Sequence, residues 1–169
     1  MMFTQQAVAL PLIKRAMKGR RLVVVDLENV AGGALVTKAM AEWARAVVEA
    51  TLHVADGEQV VVGTSHIGMF NARDAWPGAR LKIRSGQNGA DLELLDVLET
   101  EHVEERFDEI LLASGDGVFT DVVAHLGRCG VKVTVAAWPT SMSARLRLAA
   151  GCIVYLDGKM GHGSQKEIA

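Results

Sequence analysis

Apolar residues along this chain alternate between short β-branched runs and longer stretches with helical spacing. The run Leu22 to Asp26 (LVVVD) is too short for a helix and rich in valine, which marks a buried strand. After the Gly32–Gly33 break, the Ala-rich stretch 34–50 has helical content and spacing. The same step then repeats. Strands are predicted over 58–64, 79–84, 108–113, 131–136 and 152–156. Helical segments are predicted over 67–75 (irregular or helical), 89–103, 117–128 and 141–149. Such alternation predicts an α/β fold, a mostly parallel sheet with helices on both faces.

The pattern also divides the chain. Residues 1–19 read as a helical extension with Pro11 inside it, 20–157 as one working domain, and 158–169 as a polar, glycine-containing flexible tail. An apolar face on residues 5–17 suits either a homo-oligomer contact or packing against the chain's own domain. Composition agrees with this division. Of 169 residues, 50% are hydrophobic and only 5% aromatic, and the apolar share is mostly Val, Leu and Ala. A formal net charge of -2 does not suggest bulk attraction to nucleic acid. No apolar stretch approaches the roughly 20 residues of a membrane span, and Lys14, Arg15 and Lys18 follow the first apolar run instead of preceding it. A cytoplasmic protein without membrane partners is expected. Cys129 and Cys152, the only cysteines, sit in apolar settings and read as buried thiols.

In an open parallel sheet the functional crevice lies at the carboxyl ends of the strands, so polar residues ending an apolar strand are the candidates for chemistry. Three connections qualify. In LVVVDLENV, Asp26 ends a strand and Glu28 and Asn29 follow it. In LLASGDGVFTDVV, Ser114, Gly115 and Asp116 make a tight strand-to-helix turn where small residues let the backbone approach a ligand. In RSGQNGADLELLDVLETE, Asp91 lies in the first turn of a long helix, while Glu93 and Asp96 face elsewhere. Each aspartate has a plainer reading as a turn or helix cap. Their conjunction argues for more, because three carboxylates brought to one sheet edge repel one another unless a divalent cation compensates them. Hard carboxylate oxygens suit Mg²⁺ or Mn²⁺, and no His or Cys spacing favours zinc.

At VVVDLENV, NGADLELLDVL and SGDGVFTDVVAHLGRCGVKVTV the chain resembles the NYN domain family, a branch of the PIN-like ribonuclease superfamily, over roughly residues 21 to 157. The resemblance implies a Rossmann-like three-layer α/β sandwich, a Mg²⁺ or Mn²⁺ site and phosphodiester cleavage of RNA. By position, Asp26, Asp91 and Asp116 look like the metal-binding carboxylates and Asn29 like the polar companion of the first. Many members carry an acid two residues after the third aspartate, where this chain has Val118. Asp121, from the next turn, is the substitute acid the spacing offers, over a quarter turn off in direction, while Thr120, four residues on, shares the face better and suits a held water. That departure leaves open a catalytically weak RNA-binding or protein-interaction module beside the endoribonuclease. A phosphohydrolase with Asp26 as nucleophile lacks the second aspartate two residues on.

For the RNA itself, Arg84, Asn88 and Ser114 are the contact candidates nearest the loops. Arg80, Lys82 and Arg84 share one side of their strand, either to hold phosphates or to guard a sheet edge. Arg145 and Arg147 suit a second phosphate rim or a solvated helix face, and His66 stands at a strand end with no partner motif. Trp43, Trp76 and Trp138 are too dispersed for a stacking platform and read as packing residues.

Overall fold

The computed structural model describes residues 19–158. The helical extension expected before residue 19 and the tail expected after residue 158 lie outside the described residues.

Among the described residues, six strands form one all-parallel sheet: β1 (Arg21–Asp26), β2 (Gln59–Thr64), β3 (Arg80–Ile83), β4 (Glu109–Ala113), β5 (Lys132–Ala137) and β6 (Cys152–Tyr155). Their order is β3-β2-β1-β4-β5-β6, and the direction of winding reverses between β1 and β4. In a doubly wound sheet the crevice opens at that reversal. Asp26 ends β1 there, and Ser114 to Asp116 follow β4.

Valine-rich strands suit this sheet because both faces are covered. Val23 and Val25 of β1 pack on one side with α2 (Lys38–Leu52) and α3 (Met69–Ala75). Leu22 and Val24 pack on the other with α4 (Gly89–Thr100), α6 (Thr120–Arg128) and α7 (Ala144–Ala149). The expected three layers are therefore present. Trp138 stacks on Trp43 with ring centroids 5.8 Å apart and donates to Val30 O at 2.8 Å, and Trp76 is buried, so the tryptophans do pack.

Local departures have local causes. The helix expected from residue 34 begins at Lys38, because the Thr37 hydroxyl accepts from Met40 N and caps it. The long helix expected over 89–103 stops at Thr100, where His102 takes φ 51°, and a separate turn, α5 (Val103–Arg106), follows. The helix expected from 117 starts with a 3₁₀ turn, Gly117–Phe119. A short helix that the apolar pattern did not announce, α1 (Leu27–Ala31), begins directly at the end of β1.

Two expectations about exposed groups are corrected. Cys129 and Cys152 are both exposed, because one sits at the C-terminal end of α6 and the other opens the edge strand β6. Arg80 and Lys82 do share a side of β3, but that side meets the carboxylates of α4. Arg80 is forked onto Glu101, and Lys82 lies 3.0 Å from Glu93 and 3.7 Å from Asp96. Arg80 and Lys82 are thus engaged within the fold.

Candidate metal centre at the strand ends

Asp26 is both the last residue of β1 and the cap of α1. Its Oδ1 accepts from Asn29 N at 3.2 Å, and its Oδ2 accepts from the Ser114 hydroxyl at 2.8 Å. The same Ser114 oxygen accepts from Asp116 N at 3.2 Å. Asn29 closes the arrangement from the other side, its Oδ1 accepting from Gly115 N at 3.1 Å. The turn after β4 is therefore fastened to the turn after β1 through two side chains, Ser114 and Asn29.

That turn is compact for a further reason. A Cβ at Gly115 would fall 2.3 Å from Ser141 O, and Ser143 N donates to Gly115 O at 2.9 Å. The small residue expected to admit a ligand instead admits the chain's own loop after β5. Asp116 caps the 3₁₀ turn, its Oδ1 accepting from Val118 N at 2.9 Å.

Asp91 arrives from the third direction. Asn88 takes φ 57°, and Gly89 packs so tightly that a Cβ would meet Arg84 O at 2.4 Å. Gly63 on β2 leaves space filled by Leu94, where a Cβ would come within 2.7 Å of Leu94 Cγ. These two glycines let α4 lie close on the sheet and lower Asp91 into the crevice.

Asp26, Glu28, Asn29, Asn88, Asp91 and Asp116 line one cleft of about 180 Å³, together with Gly86, Gly89 and Ala90. Asp26 is 3% exposed and Asp91 8%. Burial pushes the Asp26 carboxyl up to about 8, and the nearby charge of Asp91 pushes the same way. Asp91 is also raised, first by burial and further by the charges of Asp116 and Glu28. The interaction of the two carboxyls acts in opposite senses, raising Asp26 and opposing the rise of Asp91. No described residue lining the cleft is cationic.

Larger hollows lie elsewhere, including one of about 300 Å³ at the opposite, N-terminal ends of the strands. There the charges are already balanced, Arg21 by Glu58 and Arg80 by Glu101. Among the described residues, the group of three metal-capable side chains whose ligand atoms all fall within 4.8 Å of one another is His102, Glu104 and Glu105. It is a surface turn in which His102 and Glu104 already face each other at 3.7 Å. The strand-end carboxylates are spaced more widely, but two of them, Asp26 and Asp91, are buried.

The remaining candidates separate. Ser114 is buried beneath the cleft as a brace. Arg84 is exposed beside it, 3.9 Å from Glu93. Thr120 and Asp121 are corrected. The Thr120 hydroxyl donates to Gly117 O at 2.6 Å, and Asp121 points to solvent with its side chain 94% exposed, 3.8 Å from Arg145. Neither lines the cleft. The acid missed as a site residue is Glu28, which reaches the cleft from α1 while its Oε1 accepts from Ser65 N at 2.9 Å. No local pattern announces it, since its direction is set by the five-residue helix α1, which the apolar pattern does not predict.

A family model described as NYN domain matches residues 66–157, a stretch that contains Asp91 and Asp116 and begins after Asp26. No curated protein matches the chain. A crystal structure of a protein of unknown function from Vibrio parahaemolyticus superposes with a TM-score of 0.56 at 21% identity, covering 82% of this chain and 93% of that one. At that identity the likeness concerns the fold.

Proposed function

The chain belongs to the NYN domain family, whose fold is that of PIN-like nucleases, and from that premise we propose that it is a metal-dependent endoribonuclease. The observation that carries the reading is the buried carboxylate pair Asp26 and Asp91, held in a cleft with two further acids and no cationic side chain. Ionised together, these groups require a compensating charge that the lining residues do not supply.

The donor set fits a hard divalent cation, Mg²⁺ or Mn²⁺, because it offers oxygen ligands alone. Asp26, Asp91 and Asp116 are the residues that would hold it. Bound there, such an ion supplies neutralisation of phosphate charge and acidification of a water molecule. The chain's own groups supply position and proton transfer. Asp26 is fixed by Asn29 N and the Ser114 hydroxyl, so its carboxylate cannot turn away from the cleft. Asp116 spends Oδ1 on Val118 N and keeps Oδ2 for the attacking water. That oxygen would take the water proton as the new O–P bond forms, while the P–O3′ bond of the RNA breaks and the departing O3′ takes a proton from solvent. Asn88, exposed at the start of α4, and Arg84 beside it are the groups that would contact the substrate phosphates.

A second reading is favoured by one observation. Val118, 37% exposed, stands two residues after Asp116, and neither Thr120 nor Asp121 replaces the acid that many family members have there. On that reading the domain binds RNA and cleaves it weakly or not at all. Cleavage of labelled single-stranded RNA in Mn²⁺ or Mg²⁺ separates the two. The nuclease reading expects activity in the parent chain and a loss of at least about a hundredfold in Asp26→Asn and Asp116→Asn. A parent chain as inert as both variants, yet binding RNA, would leave the binding module.

A further inference from the structure

His66 follows β2 with no partner motif in the sequence, but the fold supplies a partner. Ser65 to Gly68 form a tight turn, closed by Gly68 N donating to Ser65 O at 3.1 Å. A Cβ at Gly68 would fall 2.4 Å from Thr64 Oγ1, so the turn is pressed onto the strand end. Within it, His66 is fastened twice to one atom. Ser85 Oγ accepts from His66 N at 3.1 Å and lies 2.8 Å from Nδ1. The residue is exposed, so this fixing serves no burial.

The two bonds leave one ring nitrogen over. With Nδ1 engaged by Ser85, Nε2 has no partner among the described residues. A hydroxyl can accept from a protonated Nδ1 or donate to a bare one, so the anchor survives either charge state of the ring. An imidazole held in this way can give up a proton at Nε2 and regain it without moving.

Its neighbours are the walls of the acidic cleft. Ser65, the preceding residue, donates from N to Glu28 Oε1 at 2.9 Å, and Ser85 precedes Gly86. Glu28 and Gly86 both line the cleft. In the sheet, β1 lies between β2 and β4. Asp26 at the end of β1 therefore has Asp116, after β4, on one flank and His66, after β2, on the other. An in-line displacement sets the attacking and leaving oxygens on opposite sides of phosphorus. Arg84 is also on the β2 flank, since its N donates to Thr64 O at 3.2 Å, but a guanidinium does not give up its proton.

We propose that His66 is a further catalytic residue of the cleft, the proton donor that serves the departing O3′ from Nε2. The inference rests on the nuclease reading above and adds its second proton transfer. As the O–P bond from water forms, the electron pair of the P–O3′ bond passes to O3′, and that oxygen takes the Nε2 proton. The ring then regains a proton from solvent, which remains the ultimate source, and Asp116 returns the water proton to solvent.

The test compares two labelled RNAs in Mn²⁺, one with oxygen throughout and one with sulfur in place of the scissile O3′. A thiolate departs without a proton and needs no donor. His66→Gln is expected to cleave the oxygen RNA about a hundredfold more slowly than the parent chain, the lower end of what a positioned acid contributes. It is expected to cleave the sulfur RNA at the parent rate. Ser85→Ala, which frees the ring, is expected to show a smaller loss, again on the oxygen RNA alone. Both variants are expected to keep the parent's RNA affinity and its melting response to Mn²⁺. The proposal is overturned if His66→Gln cuts the oxygen RNA as fast as the parent does, or if its defect is as large on the sulfur RNA. Loss of the Mn²⁺ response in His66→Gln also overturns it, since the ring then only holds the cleft together. In those cases the parent chain still cleaves and the nuclease reading stands. A parent chain that cleaves neither RNA removes that reading, and this inference with it.

Discussion

Asp26 shows how one residue can serve two roles that the sequence set against each other. It caps α1 through Asn29 N, as the plainer reading held, and it is also the buried floor of the acidic cleft. Its carboxyl is raised to about 8 by burial and then by Asp91. The unfolded chain releases this proton near the ordinary carboxylate value of 3.8, whereas the folded chain keeps it to about 8. Between those limits the folded state binds more protons, so stability falls as pH rises, and the fall ends above the folded value. In chelator, the urea midpoint should therefore drop between pH 5 and pH 8 more in the parent chain than in Asp26→Asn. The amide mimics the protonated carboxyl and does not titrate. Equal pH dependence of the two proteins would show that Asp26 carries no such strain. Glu28, by contrast, was legible as an acid but not as a member of the site, since its direction depends on a helix only five residues long.

At the scale of elements, the site is assembled by close approaches that only glycine permits. Gly63 lets α4 lie on β2, and Leu94, which fills the space, is fully buried and has no room to yield. Gly63→Ala is expected to cost about 1–3 kcal/mol by overpacking and to shift the start of α4, carrying Asp91 with it. Chemical denaturation should register the first effect and a weakened Mn²⁺ response the second; full stability together with an undiminished metal response would refute the placement of Asp91 by this contact. The edge strand β3 illustrates what periodicity can and cannot give. Alternation correctly placed Arg80 and Lys82 on one side of the strand, but their partners, Glu101 at the C-terminal cap of α4 and Glu93 within it, belong to an element that periodicity alone could not position opposite them.

Across the whole molecule, the acids come from three distant parts of the chain and meet only when the sheet is wound. On the proposed function, a cation held by Asp26, Asp91 and Asp116 would bind the folded state and not the unfolded one, and would raise apparent stability by mass action. At a hundredfold excess over its dissociation constant the gain is about 2.7 kcal/mol. Melting in Mn²⁺ should rise by several degrees over melting in chelator for the parent chain and not for Asp26→Asn. A parent melting temperature unmoved by millimolar Mn²⁺ would count against the metal centre itself. The family match and the wound sheet agree on the architecture, and the buried carboxylates mark the end of that sheet where the proposed chemistry would lie.

The sequence by itself determined the layered α/β architecture, because strands buried on both faces must be continuously apolar and helices between them must carry a 3.6-residue pattern. It also determined that Asp26, Asp91 and Asp116 would stand at the carboxyl ends of the sheet, since each follows or ends a strand or opens the helix after one. Tertiary structure decided everything that depends on direction and distance between elements. It turned Glu28 into the cleft and Asp121 out of it, made Ser114 and Asn29 the fasteners between two turns, and left both cysteines exposed. Local pattern reports which face a residue occupies on its own element, whereas what lies opposite that face is set by how the sheet twists and how closely each helix can approach it.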